Sequence, residues 1–233
     1  MVAMPELDSP ELRTLISNRG SMYRMLARLY RTEVDANLLT QMTKMELPVE
    51  SGVPELDAGH RELQIFLEHQ TEHALIDLAV DYARIFLGIR RGHSAFPYES
   101  VYTSPTKLMM QEARDEVVRI YREEEIDRAD GVTEPEDHIA FELEYMALLC
   151  QKAIDALDRN DWCLVQDYLK KQGEFLEWHL ANWVPDFCID LLAAAELDFY
   201  KSAAHLTRGF LELEQETIPA LMGEVYEYTQ EQR

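Results

Sequence analysis

Residues 133–146, TEPEDHIAFELEYM, crowd carboxylates and one histidine into the opening of a helix. With Glu134 or Thr133 as cap and Pro135 at the first helical position, Glu136 and Asp137 fall in the first turn, where acids interact favourably with the helix dipole. That reading predicts a helix from Pro135 to about Leu157. It leaves His138 unexplained, because a potential cation stands at the positive end of the dipole. His138 and Glu142 lie four residues apart and so share one helix face.

Outward from this stretch, nearly every segment repeats its apolar residues at helical spacing. Ser9-Pro10 opens a helix carrying Leu12, Leu15, Ile16, Met22, Tyr23, Leu26, Leu29 and Tyr30 inward, loosened at Gly20. A shorter one starts at Asp35 and stops before Pro48, and PVESGVPELDAG (48–59) reads as a breaker-rich loop. Two helices meeting near Gln70-Thr71 account for Arg61 to Leu87. GIRRGHSAFPYESVYTSP (88–105) has no helical period and brings the aromatics Phe96, Tyr98 and Tyr102. Ser104-Pro105 restarts a helix to about Glu125, Asp161 caps another, Pro185 opens a third, and a break near Pro219 precedes a short terminal helix. The expectation is one all-α domain over 1–233. It is an irregular bundle with an N-terminal half (about 1–125), a hinge (about 126–134) and a C-terminal half (about 135–233).

Of the 233 residues, 44 are acidic and 22 basic, giving a net charge of −22. Such a chain repels nucleic-acid phosphates and anionic membranes and attracts cationic partners. Cys150, Cys163 and Cys188 form no Cys-x-x-Cys pair and read as reduced, mostly buried thiols. The N-terminal residues lack the pattern of a signal peptide, and the longest apolar run is interrupted by acids, so a cytoplasmic protein without membrane insertion is expected. Arg90-Arg91 lies mid-chain and does not read as an export signal of this protein.

Catalytic motifs are sparse. The sequence holds no Walker loop, no Gly-x-Ser-x-Gly elbow, no His-Glu-x-x-His and no Glu-x-x-His. His69 and His73 stand four apart without a zinc-protease pattern and read as surface residues. AFPYESVY offers aromatics and an acid, and EPEDH offers acids and a histidine, a mixture suited to a segment both basic and apolar. Equally, the loop aromatics could plug the core beneath them.

FPYESVY (96–102), EPEDHIAFELEYM (134–146), HLANWVPDF (179–187) and FYKSAAHL (199–206) resemble the TorD/DmsD family of redox-enzyme maturation chaperones, to which the NarJ group is related. The resemblance runs in order from about residue 20 to 215. It implies a cytoplasmic, non-enzymatic helical chaperone with no cofactor of its own. Such a chaperone binds the twin-arginine signal peptide and body of a molybdopterin-containing oxidoreductase of the dimethyl sulfoxide reductase type, and delays export until cofactor is inserted. The family is also associated with weak guanine-nucleotide binding and with domain-swapped dimers beside monomers. Carried onto this chain, the motif marks Glu134, Pro135, Asp137 and His138, and Tyr98, Ser100 and Tyr102, as peptide contacts, with Glu99 and Glu142 joining the acidic cluster. Two competing readings are a helical metal-dependent hydrolase using Asp137, His138 and Glu142, and an assembly adaptor with no leader to bind.

Overall fold

The computed structural model describes residues 9–45, 50–88, 94–127 and 131–231. Arg90, Arg91 and residues 128–130 of the expected hinge lie outside them. The helices in chain order are α1 (Ser9–Arg31), α2 (Ala36–Met42), α3 (Pro54–His69), α4 (Ala74–Phe86), α5 (Glu99–Thr103) and α6 (Glu112–Glu123). There follow α7 (Ile139–Asp158), α8 (Trp162–Phe175), a π turn (Leu176–Leu180), α9 (Ala181–Ala194) and α10 (Asp198–Glu231). Among the described residues, extended pairing is limited to an isolated antiparallel bridge between Tyr98 and His138.

The expected caps at Asp35 and Asp161 form: their carboxylates accept from Leu38 N at 2.8 Å and Leu164 N at 3.1 Å. The long amphipathic helices then pair across the chain, α1 along α7, α3 along α10, and α8 against both α7 and α10. Tyr23, Tyr30, Trp183, Phe187, Phe199 and Tyr200 are all but wholly buried between them. Each such side chain contributes roughly 1.5–3 kcal/mol through apolar burial. The α3–α10 seam is close enough that a Cβ at Gly209 would lie 2.7 Å from Leu56 N, and one at Gly59 would lie 2.9 Å from Leu206 N.

At its centre the bundle holds a polar lock. Arg19 of α1 donates from Nε and Nη2 to Glu214 of α10 at 2.7 and 2.6 Å, and from Nη2 to Gln172 Oε1 of α8 at 2.8 Å. Tyr23 donates to the same Glu214 at 2.7 Å. All four side chains are buried, so the ion pair is fixed by charge-assisted hydrogen bonds rather than by solvent-exposed attraction.

Several local expectations are corrected. Gly20 does not loosen α1; it admits α7, since a Cβ there would stand 3.1 Å from that of Cys150. Within the expected loop 48–59, Pro54 begins α3. Ser104-Pro105 starts no helix, because Lys107 (φ 52°) and Met110 (φ 61°) turn the chain through left-handed backbone before α6 begins at Glu112. Pro185 opens no helix; it lies inside α9, which follows directly on the π turn. Pro219 likewise lies inside α10, which stays continuous because Ile218 and Leu221 are anchored in the core on either side. Cys150 and Cys188 are buried free thiols, whereas Cys163 is exposed.

Candidate functional site

The start of α7 differs most from expectation, and it builds the site. Residues 137–139 are engaged by the loop before α5 instead of entering the helix: Ile139 N donates to Pro97 O at 2.9 Å and Glu99 N to Asp137 O at 3.0 Å. His138, not Glu134 or Thr133, is therefore the N-cap, and its Nδ1 accepts from Ala140 N at 3.0 Å. A capping imidazole has to be neutral, and burial followed by repulsion from Arg31 lowers the His138 pKa to about 4. The histidine the dipole argument left unexplained is thus an uncharged cap.

The clasp joins the two motif blocks. Tyr98 stands edge-on to His138 with ring centres 5.0 Å apart. Asp137 Oδ2 accepts from Ser100 N at 2.9 Å, and Ser100 Oγ accepts from Gln111 N at 3.1 Å, so one carboxylate positions α5 and, through it, the approach to α6.

Beneath the clasp the acids are buried. Glu99, Asp137 and Glu142 are 2%, 0% and 0% exposed. His179 Nδ1 donates to Glu99 Oε2 at 2.9 Å, and Trp183 Nε1 donates to Glu142 Oε2 at 3.0 Å. Glu142 Oε1 and Asp137 Oδ1 have no donor among the described residues. Burial first, then the neighbouring Glu99, then Asp137, push the Glu142 carboxyl well above the ordinary range. The π turn carries His179 and directs it at Glu99, a placement in keeping with π turns at functional positions.

The structure brings Tyr98, Glu99, Ser100, Tyr102, Asp137, His138 and Glu142 together. Glu134 lies exposed at the rim, its carboxyl held low first by backbone N–H groups, and Pro135 is buried. The expected exposed grip is corrected in two respects. Glu99 and Asp137 lie under the surface, and Tyr102 packs inward, stacked on Trp183 at 5.5 Å with its hydroxyl donating to Asp190 at 3.1 Å. Phe96, 42% exposed, and half-buried Tyr98 keep aromatic surface outside. His179, Trp183 and Tyr121 were not singled out, although HLANWVPDF contains the first two.

Next to the clasp a cleft of about 810 Å³ opens between α6 and α7, walled by Tyr121, Ile126, Val132, Phe141 and Tyr145. Phe141 links the two features, with its ring 5.8 Å from that of His138 and the Arg31 guanidinium carbon 4.0 Å from its ring centroid. Among the described residues no group of three or more His, Cys, Asp or Glu could hold a metal ion, which disfavours the hydrolase reading. No described helix is long and apolar enough to cross a membrane.

The chain is similar to proteins named Chaperone protein TorD. That of Vibrio cholerae serotype O1 is 26% identical over 222 residues, covering 93% of this chain and 99% of the relative. That of Shewanella pealeana is 25% identical over 227 residues, covering 90% and 93%. A third, from Photobacterium profundum, is 29% identical over 143 residues, covering 61% and 64%. Residues 50–189, which include α5, the clasp, the start of α7 and the π turn, match the pattern of the family described as Nitrate reductase delta subunit. The chain therefore belongs to the nitrate reductase delta subunit family.

Proposed function

We propose that this protein is a non-enzymatic maturation chaperone that binds the twin-arginine leader, and through it the apoprotein, of a molybdopterin-containing oxidoreductase in the cytoplasm. The observation that carries this reading is the clasp: it sets a cluster of carboxylates directly beside an aromatic cleft. A twin-arginine leader has the complementary order, guanidinium groups followed by an apolar stretch. Exposed Glu134 at the rim receives the cationic end, while Phe96, Tyr98 and the Phe141 cleft receive the apolar one. The net charge of −22 steers a cationic leader inward. The names of the relatives support a chaperone over a hydrolase.

Titration calorimetry with a synthetic twin-arginine leader tests the proposal. Micromolar or tighter binding is expected, weakened at least about tenfold when both arginines become alanine, the loss expected for about 1.4 kcal/mol of charge-assisted pairing. Glu134→Gln, at the exposed rim, is expected to weaken binding more at low salt than at high salt. Equal binding of the native and arginine-free leaders would refute the electrostatic half of the reading.

A further inference from the structure

We infer that Arg31 is a receptor for a carboxylate of the partner, carried beside the apolar stretch that fills the Phe141 cleft. This rests on the proposed leader binding and adds to it a selection by charge inside the cleft.

Arg31 is the arginine that the fold leaves unpaired. Among the described residues, the other arginines that are buried or half-buried are Arg19, Arg28, Arg84, Arg114 and Arg208, and each holds a carboxylate: Glu214, Asp35, Asp81, Glu136 and Glu55 in turn. Arg31 is half-buried like them, yet it forms no hydrogen bond or ion pair with any described residue, and its Nη1 is sealed from solvent without an acceptor. Phe141, with its ring centroid 4.0 Å from the guanidinium carbon, steadies the cation through its π electrons but offers no oxygen to its N–H groups. Buried orphan donors are rare, and a guanidinium cannot escape the cost by shedding its charge.

The surroundings favour an anion. Arg31 stands where two grooves meet, the Phe141 cleft of about 810 Å³ and a second of about 460 Å³ between α1 and α7, and Glu144 and Leu148 line both with it. In the second groove Arg28 and Arg24, one and two turns earlier on α1, join Arg31, so three guanidinium groups face the one carboxylate of Glu144. Arg28 is committed to Asp35, and Glu144 is exposed and forms no ion pair with Arg31. The other charged walls of the Phe141 cleft are Arg122, Asp127 and Glu136, the last of which holds Arg114 at 2.7 Å. In a chain of net charge −22 this basic stripe is the place where a cationic segment is turned away and an acidic one is welcome. A carboxylate matches the vacancy best, because its two oxygens meet two N–H groups of the planar fork at once.

The test is calorimetry of the full chain with synthetic twin-arginine leaders that carry a single glutamate, glutamine or lysine, in one set at the start of the apolar stretch and in another at its end. In one of the two sets the glutamate leader is expected to bind about tenfold more tightly than the glutamine leader, and the lysine leader more weakly than either. Arg31→Gln, checked for folding by its melt, is expected to bind all three alike, and Arg31→Lys, which keeps the charge but loses the fork, to keep the order with a smaller spread. Affinities indifferent to this charge in both sets, an order that survives Arg31→Gln, or a spread undiminished in Arg31→Lys would overturn the carboxylate seat and leave leader binding standing. Failure of every leader to bind the wild type would overturn both.

Discussion

Replacing Glu142 by glutamine is expected to make the protein more stable, and only above acidic pH. Glutamine keeps the shape of the side chain; its carbonyl can still accept from Trp183 Nε1, and its amide can donate to Glu99 without any proton being borrowed. In the wild type the folded state holds a proton on Glu142 that the unfolded chain gives up above the ordinary glutamate value of 4.5. A raised folded value means that stability falls as pH climbs from 4.5 until the folded carboxyl also ionises. From 4.5 to 7 is 2.5 pH units, so at pH 7 the cost is at most about 3 kcal/mol at roughly 1.4 kcal/mol per unit. For a chain of this size that is a rise in Tm of up to about 10 °C at pH 7, shrinking to about zero near pH 4.5. Melts of both proteins at pH 4.5, 6, 7 and 8 measure it. A variant less stable than wild type at pH 7, or a difference that does not grow with pH, would refute a Glu142 carboxyl raised in the folded state.

Two further expectations concern the scaffold. Gly209→Ala should destabilise by about 2 kcal/mol or more, because its Cβ would meet Leu56 backbone, whereas Gly223→Ala in the same helix, with nothing within 4 Å, should stabilise by roughly 0.5–1 kcal/mol; urea titration of the pair separates packing from helix propensity. Arg19→Met should cost about 3–5 kcal/mol by stranding Glu214 in the core, and Arg19→Met with Glu214→Leu should recover most of that, which a double-mutant cycle reads directly.

The helical class was legible because each long helix carries its own apolar stripe, and Asp35 and Asp161 announced their caps. What local pattern could not disclose was set by distant partners. Pro135 with Glu136 and Asp137 reads as a helix opening, yet Pro97 and Glu99 claim the backbone of residues 137–139 and delay α7 to Ile139. Pro185 and Pro219 are strong breakers by propensity, yet each lies inside a helix, flanked by the buried Val184 and Phe187 in one case and Ile218 and Leu221 in the other. The cluster of Glu99, Asp137, His138 and Glu142 was found by residue type, but its burial was not, since an acid in a loop gives no sign that a histidine 80 positions away will pair with it. His179 sits in an unremarkable helical run, and only the change of register at Leu176–Leu180 turns it toward Glu99.

The pairing of α1 with α7, and of Arg19 with a glutamate 195 residues downstream, also governs how the protein is born. As the polypeptide leaves the ribosome, α1 emerges with an apolar stripe whose main cover, α7, follows only after α2 to α6 have been made. Assembly therefore waits for α7 and α10, and a nascent chain stalled before α7 would itself display the kind of sticky surface that a holdase recognises.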